Sequence, residues 1–436
     1  MSNHAISVPA ADSAFEEQAY AKVFRRVVPL IIVCYIVAYL DRINVGFAKL
    51  QMEIDLGFSQ TVYGLGAGMF FIGYFFFEVP SNLIMYRVGA RLWIARIMIT
   101  WGLLSMCFVF VKTPFWFYTL RFLLGAAEAG FYPGVILYLT YWYPDRRRAA
   151  IVATFMAAIP IAGIFGNPLS GWIMDGFDQV AGMRGWQWMF IIEAIPAVIL
   201  GIVVMFYLYN GIREATWLTE DEKLLLERNI EAEASTKKKN PHSLGAVFTD
   251  PRVWMMSAIY FCFVMGQYGL TFWMPTLVKA TGVEGNFVTG LLSAIPFLVA
   301  VVAMILCGRS ADRHRERRWH LIIPALCGAV GFVVAALTAG NTAIAITFLS
   351  LAAGGVLTCA PLFWSLPTSF LRGSAAAAGI AAINSIGNLA GFVSPYLIGF
   401  LKDFTQNNRT GMYMLAGMLV LGAILVSRTR PEEVNH

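Results

Sequence analysis

Six ionisable side chains lie inside long apolar runs of this 436-residue chain: Asp41, Arg42, Glu78, Arg121, Glu128 and Glu193. A charge in such surroundings is costly unless it is paired or faces water, so each is a candidate functional group. A guanidinium keeps its proton even there, and its planar fork grips a carboxylate through two parallel hydrogen bonds. Arg42 and Arg121 are therefore expected to receive an anion. A buried carboxyl holds its proton more tightly when isolated and less tightly beside a guanidinium. Asp41 and Glu128 are thus expected to take up and release protons as an anion arrives or leaves. Arg121 and Glu128 stand seven residues apart, which is two helical turns and roughly 10 Å of rise along one face. That face is expected to point at a cavity. The competing reading is of static ion pairs that hold helices together. Glu78 and Glu193 each lie close to a proline (Pro80, Pro196) and read as groups that satisfy local backbone.

The elements that must carry these residues follow from composition. The chain is 58% hydrophobic and 13% charged, with a mean hydropathy of +0.66, whereas soluble globular chains are about 25% charged. Apolar runs of about 20 residues, enough to cross roughly 30 Å of hydrocarbon, recur from end to end. Spans are expected at about 27–48, 62–85, 92–111, 114–141, 149–174, 187–209, 253–278, 287–307, 319–338, 342–365, 374–400 and 411–427. The fold class is therefore an all-α integral membrane protein with twelve transmembrane helices in two six-helix bundles. Residues 1–26 and 428–436 read as tails, 27–209 and 251–427 as the bundles, and 210–250 as a polar central loop. Within that loop, Thr219-Glu220-Asp221-Glu222-Lys223 reads as a helix start and Lys237-Lys238-Lys239 as a basic run. The first apolar run is too long for a cleaved signal and reads as a permanent span.

The net charge of +6 does not point to nucleic acid, because the basic residues cluster in short segments between apolar runs. One side collects most of them, including Arg87, Arg91, Arg147, Arg313, Arg318 and Arg428. The other holds only Lys49, Lys112, Arg184, Lys279, Lys402 and Arg409. Positive charge resists translocation, so both termini are expected in the cytoplasm. The six cysteines lie in apolar runs without paired metal-ligand spacing and read as free, packed thiols. No phosphate-binding Gly-x-x-x-x-Gly-Lys loop occurs. The five histidines fall in tails, loops and span ends, so no nucleophile–base pair or metal cluster lies within the spans. An enzyme, a cofactor and a bound metal are not expected.

A shift of 226 residues aligns Arg26-Val27 with Arg252-Val253, Tyr86-Arg87 with Asp312-Arg313, Ala126-Ala127 with Ala352-Ala353, and Arg146 with Arg372. One offset at four places indicates two parallel six-helix halves, a plan that puts the substrate at their interface near mid-membrane. The same shift sets Asp41 and Arg42 over Gln267 and Tyr268, and Arg121 and Glu128 over Thr347 and Gly354. The first half is expected to do the charge work, and the second to supply neutral hydrogen bonds and shape. Tyr39, Tyr74, Tyr268, Trp364, Asn384 and Asn388 are polar-tipped groups at cavity depth. Gly64-x-Gly66-x-Gly68, Gly130-x-x-x-Gly134 and Gly387-x-x-x-Gly391 read as places where helices pack closely.

Three stretches resemble the anion:cation symporter family of the major facilitator superfamily: Leu40-Asp41-Arg42-Ile43-Asn44-Val45-Gly46, Phe77-Glu78-Val79-Pro80-Ser81-Asn82 and Arg121-Phe122-Leu123-Leu124-Gly125-Ala126-Ala127-Glu128. The likeness extends over nearly the whole chain and is strongest to bacterial tartrate, phthalate, hydroxyphenylacetate and sugar-acid permeases. It implies proton coupling and carboxylate binding at Asp41, Arg42, Arg121 and Glu128, and substrate contacts at Tyr39, Tyr74, Trp364 and Asn384. The superfamily loop motif Gly-x-x-x-Asp-Arg is kept as Gly308–Arg313 but is absent at Asn82–Arg87, where Gly and Asp are missing. The apolar Ile159-Pro160-Ile161 leans towards an aromatic or less hydroxylated acid. The expectation is a monomeric inner-membrane symporter of a small organic carboxylate and protons, working by alternating access. A drug or metabolite exporter or antiporter, or a membrane substrate sensor, is the alternative.

Overall fold

The computed structural model describes residues 10–237, 250–370 and 373–430. Lys238 and Lys239 of the basic run, Arg372 and the outermost parts of both tails lie outside the described residues. The first half comprises α1 (Ala10–Leu56), α2 (Gln60–Val88), α3 (Ala90–Met106), α4 (Pro114–Glu128), α5 (Phe131–Thr140), α6 (Asp145–Met156), α7 (Ala158–Gly176) and α8 (Gly185–Tyr207). After α9 (Glu220–Lys237), the second half comprises α10 (Pro251–Lys279), α11 (Asn286–His314), α12 (Trp319–Leu337), α13 (Thr342–Phe363), α14 (Ser365–Phe370), α15 (Gly373–Thr405) and α16 (Arg409–Ser427). Eleven helical stretches among the described residues are long and apolar enough to cross a membrane, and the 33-residue α15 completes the twelve-helix fold.

One boundary differs from the sequence reading. Residues 10–26, expected in a tail, continue α1 as helix, because Ala19, Tyr20 and Val23 are buried. Tyr20 stacks on Tyr143, and Lys22 pairs with Glu222 at 2.9 Å. The central loop holds a helix that begins where expected. The Thr219 hydroxyl accepts from the Glu222 amide, and the Glu222 carboxylate accepts from the Thr219 amide at 2.8 Å. This reciprocal pair satisfies two amide donors of the first turn.

Span 4 is interrupted between α4 and α5, where Gly130 adopts φ 86°. A left-handed residue ends the hydrogen-bond ladder, and only glycine adopts it without penalty. The Gly130–Gly134 run is thus a break as well as a close approach. A methyl on Gly130 would also meet Ser81 Oγ at 2.3 Å. Span 5 is interrupted between α6 and α7 at Ala157, and span 10 between α13 and α14 at Trp364. Each break lies beside the central cavity.

Among the described residues the halves meet chiefly through three helix pairs: α1 with α10, α2 with α15, and α7 with α11. The offset of 226 equates α1 with α10, and it exchanges the other two pairs, so the contacts follow a pseudo-two-fold axis. The ties lie at one end, the face carrying the loop at residues 57–59. Lys49 Nζ donates to Thr276 Oγ1 at 3.1 Å. Asp403 accepts from the Gln60 and Thr61 amides at 3.2 and 2.7 Å. Asp175 accepts from the Asn286 and Phe287 amides at 2.8 and 2.7 Å. Each of these two carboxylates therefore sits on the N-terminus of a helix in the other half, where unpaired amides and the helix dipole attract negative charge. Gly64 packs so closely that an added Cβ would lie 2.2 Å from the Pro395 carbonyl oxygen. Among the described residues, away from this face and towards the arginine-rich end, α5 and α6 make no substantial contact with α13, α14 or α15.

Candidate functional site

A chamber lies between the halves. Its wall follows from helical periodicity. Tyr35, Tyr39 and Arg42 form one stripe of α1, while Tyr260, Val264, Gln267 and Tyr268 form one stripe of α10. Asn384 and Asn388 lie one turn apart on α15, and Phe71 and Tyr74 on α2. Tyr132, Met156, Ile159, Ala360, Pro361 and Trp364 come from the interrupted spans. Tyr39, Arg42, Tyr74, Gln267, Tyr268, Trp364, Asn384 and Asn388 all line this wall. Tyr35, Phe71, Tyr132 and Tyr260 were missed. For Tyr35, the i, i+4, i+7 spacing with Tyr39 and Arg42 was the available signal.

Arg42 is 7% exposed. Its Nη2 makes an ion pair with Glu128 Oε1, and its Nη1 donates to the Tyr268 hydroxyl at 3.4 Å. Its Nε has no hydrogen-bond partner. The guanidinium carbon also stands 5.0 to 5.7 Å from the ring centres of Phe70, Tyr39 and Tyr74. These negative π faces lower the cost of a cation away from water. Gln267 Nε2 donates to the Tyr39 hydroxyl at 3.1 Å, so neutral groups of the second half hold the charged stripe of the first.

Asp41, Glu128 and Arg121 lie behind the wall. Asp41 is held inside the first bundle by Trp101 Nε1 at 2.7 Å, Ser105 Oγ at 2.8 Å and Asn44 Nδ2 at 3.0 Å. It makes no ion pair with Arg42, its neighbour in sequence, because consecutive helical residues point to different faces. Arg121 corrects the sequence reading. Its face meets α2 instead of the cavity, and its Nε and Nη2 donate to the Gly66 and Ala67 carbonyls at 3.4 and 3.3 Å. The seven-residue spacing does place Arg121 and Glu128 on one face, but α2 covers the turn that carries Arg121. The chamber therefore presents one guanidinium among its lining residues.

The two remaining acids differ from each other. Glu78 is half-buried, and its carbonyl accepts from Asn82 Nδ2 at 3.0 Å. Glu193 is 1% exposed and bonds Ser170 Oγ at 2.6 Å in place of local backbone. The first-half stretch that lacks Gly and Asp lies within α2, and just beyond it Asn210 Oδ1 accepts from the Arg91 amide of α3 at 3.1 Å. Lys49, expected in an outer loop, is 1% exposed in the last turns of α1. Its ammonium stands 3.0 Å from Glu53 and 3.9 Å from the Trp273 ring centre.

A mid-depth chamber between two pseudo-symmetric six-helix bundles, closed at one end, is the architecture of a membrane transporter. Residues 31–395 match the model of the Major Facilitator Superfamily, and the chain belongs to that superfamily. A candidate tartrate transporter of Agrobacterium vitis is 50% identical, with 97% of each chain covered. A candidate metabolite transport protein of Pseudomonas putida, NicT, is 49% identical over 96% of this chain and 95% of its own length. A quinolone resistance transporter of Acinetobacter baumannii is 40% identical over 94% of both. The fold is similar to that of the E. coli xylose transporter XylE, with a TM-score of 0.76 and 15% identity over 94% of this chain and 98% of that one. The protein is a multi-pass membrane transporter and not an enzyme.

Proposed function

We propose that this protein imports a small organic carboxylate together with protons across a bacterial inner membrane, as a monomer that alternates access between two sides. The carrying observation is the Arg42–Glu128 ion pair beside the chamber. An incoming carboxylate competes with Glu128 for the same guanidinium fork. Once displaced, Glu128 is a buried carboxylate without its cation and takes a proton. Anion and proton thus load together, and neither loads well alone. Arg42 is the receptor, and Glu128 is the coupling acid with Asp41 as the second. Tyr39, Tyr74, Gln267, Tyr268, Trp364, Asn384 and Asn388 orient the substrate. Arg121 holds α2 against the turn preceding Glu128.

The excess of Lys and Arg on one side supports a cytoplasmic location for both termini. The closed end then faces outwards and the chamber faces the cytoplasm. The more alkaline interior removes the Glu128 proton, Glu128 recaptures Arg42, and the anion leaves. The relatives named for tartrate transport support the carboxylate class, within which tartrate, phthalate, other aromatic acids and sugar acids are the candidates. The test is uptake into proteoliposomes against a panel of these acids, with an inward proton gradient. Accumulation that follows the gradient is expected. Uptake of no anion, or indifference to the gradient, would overturn the reading. A second reading, export of an aromatic compound, is favoured by the tyrosine-rich wall and the quinolone-resistance relative. Gradient-driven efflux of such a compound, without carboxylate uptake, would select it.

A further inference from the structure

Lys49 is a buried cation that the Arg42–Glu128 exchange does not use. It stands seven residues beyond Arg42 on α1, two turns along the same face and roughly 10 Å nearer the closed end. Three pairs across the halves run in step along this face. Arg42 meets Tyr268 at the chamber, Gly46 meets Phe272, and Lys49 meets Thr276 at 3.1 Å. The middle pair is tight, since a Cβ on Gly46 would lie 2.8 Å from the Phe272 carbonyl oxygen. The Tyr63 hydroxyl donates to the same oxygen at 3.4 Å. Gly46 and Phe272 thus separate the two cations, with the chamber on the Arg42 side and the closed entrance on the Lys49 side.

A second ammonium shares that entrance. The Trp273 ring centre lies 3.9 Å from the Lys49 nitrogen and 5.5 Å from that of Lys402, so one indole carries an ammonium from each half. Glu53 stands 3.0 Å from Lys49. Asp403, the neighbour of Lys402 in sequence, is committed to the Gln60 and Thr61 amides. Two ammoniums therefore face one available carboxylate. Sealing a cation between helices is costly, and an apolar side chain would close the same contact more cheaply. An ionisable residue kept there is a candidate for work in the open form.

We propose that Lys49 and Lys402 form an outer capture site for the substrate carboxylate, which binds there before it passes Gly46 and reaches Arg42. Thr276 and Trp273, which cover Lys49, belong to the second half, so separation of the halves at this end uncovers the ammonium. Glu53, on the same helix as Lys49, then yields to an incoming carboxylate as Glu128 does at Arg42. Positive charge lining an open cleft also raises the local concentration of anions. Arg42 lies two turns deeper on the same stripe, so the anion is handed on without any rotation of α1. The inference deepens the proposed import reading and rests on it, including on the closed end facing outwards.

The experiment measures KM from each face, in right-side-out and inside-out membrane vesicles that contain the full chain. The probe is tartrate, phthalate or another acid of the uptake panel, whichever the wild type carries fastest. Lys49→Gln/Lys402→Gln is expected to raise KM for entry at the closed-end face by about tenfold, the low end for a lost charge-assisted contact. Its KM from the cytoplasmic face is expected to stay at the wild-type value. Lys402→Gln alone, at a half-buried position, keeps the test independent of how a Lys49 variant folds. Its KM at the closed-end face is expected to rise, and to depend less on ionic strength than that of the wild type. A purely structural part in closing that end predicts the opposite sign, because loss of the Thr276 contact frees the opening and lowers KM there. A fall in KM at that face, an unchanged KM, or an equal rise from both faces overturns the capture site alone. Transport of no acid by the wild type overturns the proposed function with it.

Discussion

Arg42 and Tyr268 meet across the centre of the molecule, with Nη1 donating to the hydroxyl at 3.4 Å, and they are separated in the chain by 226 residues, the offset of the internal repeat. Equivalent positions of the two halves thus face each other across the pseudo-two-fold axis. One carries a permanent cation and the other a neutral phenol. The charge chemistry belongs to the first half, and the second half presents a surface past which it can turn without breaking an ion pair.

Arg42 and Glu128 are expected to separate binding from coupling. Arg42→Ala removes the charge-assisted contact, about 1.5–3 kcal/mol, or roughly a ten- to hundredfold loss of affinity. Glu128→Gln keeps the shape of the site but removes the titrating group. It should exchange labelled substrate across liposomes and fail to concentrate it on a pH gradient. Accumulation by Glu128→Gln at the wild-type level would remove Glu128 from the coupling.

Arg121→Ala is expected to fail for a structural reason. It is fully buried and donates to two carbonyls of α2. Its removal leaves those acceptors and a cavity, a change in the range of about 2–5 kcal/mol for large-to-small buried substitutions. Exchange and accumulation should both be lost, together with a lower melting temperature of the purified protein. A variant that melts as the wild type does but cannot bind would return Arg121 to the substrate site.

Asp175 and Asp403 should act as paired latches of the closed end. Loss of a helix-capping carboxylate costs typically about 1 kcal/mol, which is roughly fivefold in a two-state population. Asp175→Ala and Asp403→Ala should each shift the transporter towards opening at that face, and the two effects should add. Spin labels at Ile54→Cys and Glu284→Cys, one exposed position on each half, would report the change as a longer distance. Equal distances in the double variant and the parent would show that the carboxylates only cap.

Gly64→Ala puts a methyl 2.2 Å from the Pro395 carbonyl oxygen, and neither backbone can yield cheaply. The closed end should be held ajar and transport should drop by about tenfold or more, while expression stays close to normal. Gly417→Ala, with nothing within 4 Å of the new atom, is the matched control and should transport like the parent. Similar behaviour of the two variants would exclude a close-approach role for Gly64.

The amino-acid sequence by itself determined the membrane class, the number of spans and the doubled architecture. These depend on the length of apolar runs, on where Lys and Arg lie and on one repeat offset, all of which are local or periodic quantities. It also singled out eight of the seventeen residues of the chamber wall, because polar-tipped residues at turn spacing share a helix face wherever that helix packs. Tertiary structure alone decided which faces meet. Arg121 and Arg42 are equally improbable in an apolar run, yet α2 covers one and the cavity receives the other. Asp175 and Asp403 are ordinary loop-end carboxylates in the sequence, and they acquire a role only because a helix N-terminus of the opposite half arrives beside them. The physical reason is the same in each case. A charge is tolerated or useful according to the donors and acceptors around it, and for these residues those partners come from segments distant in the chain.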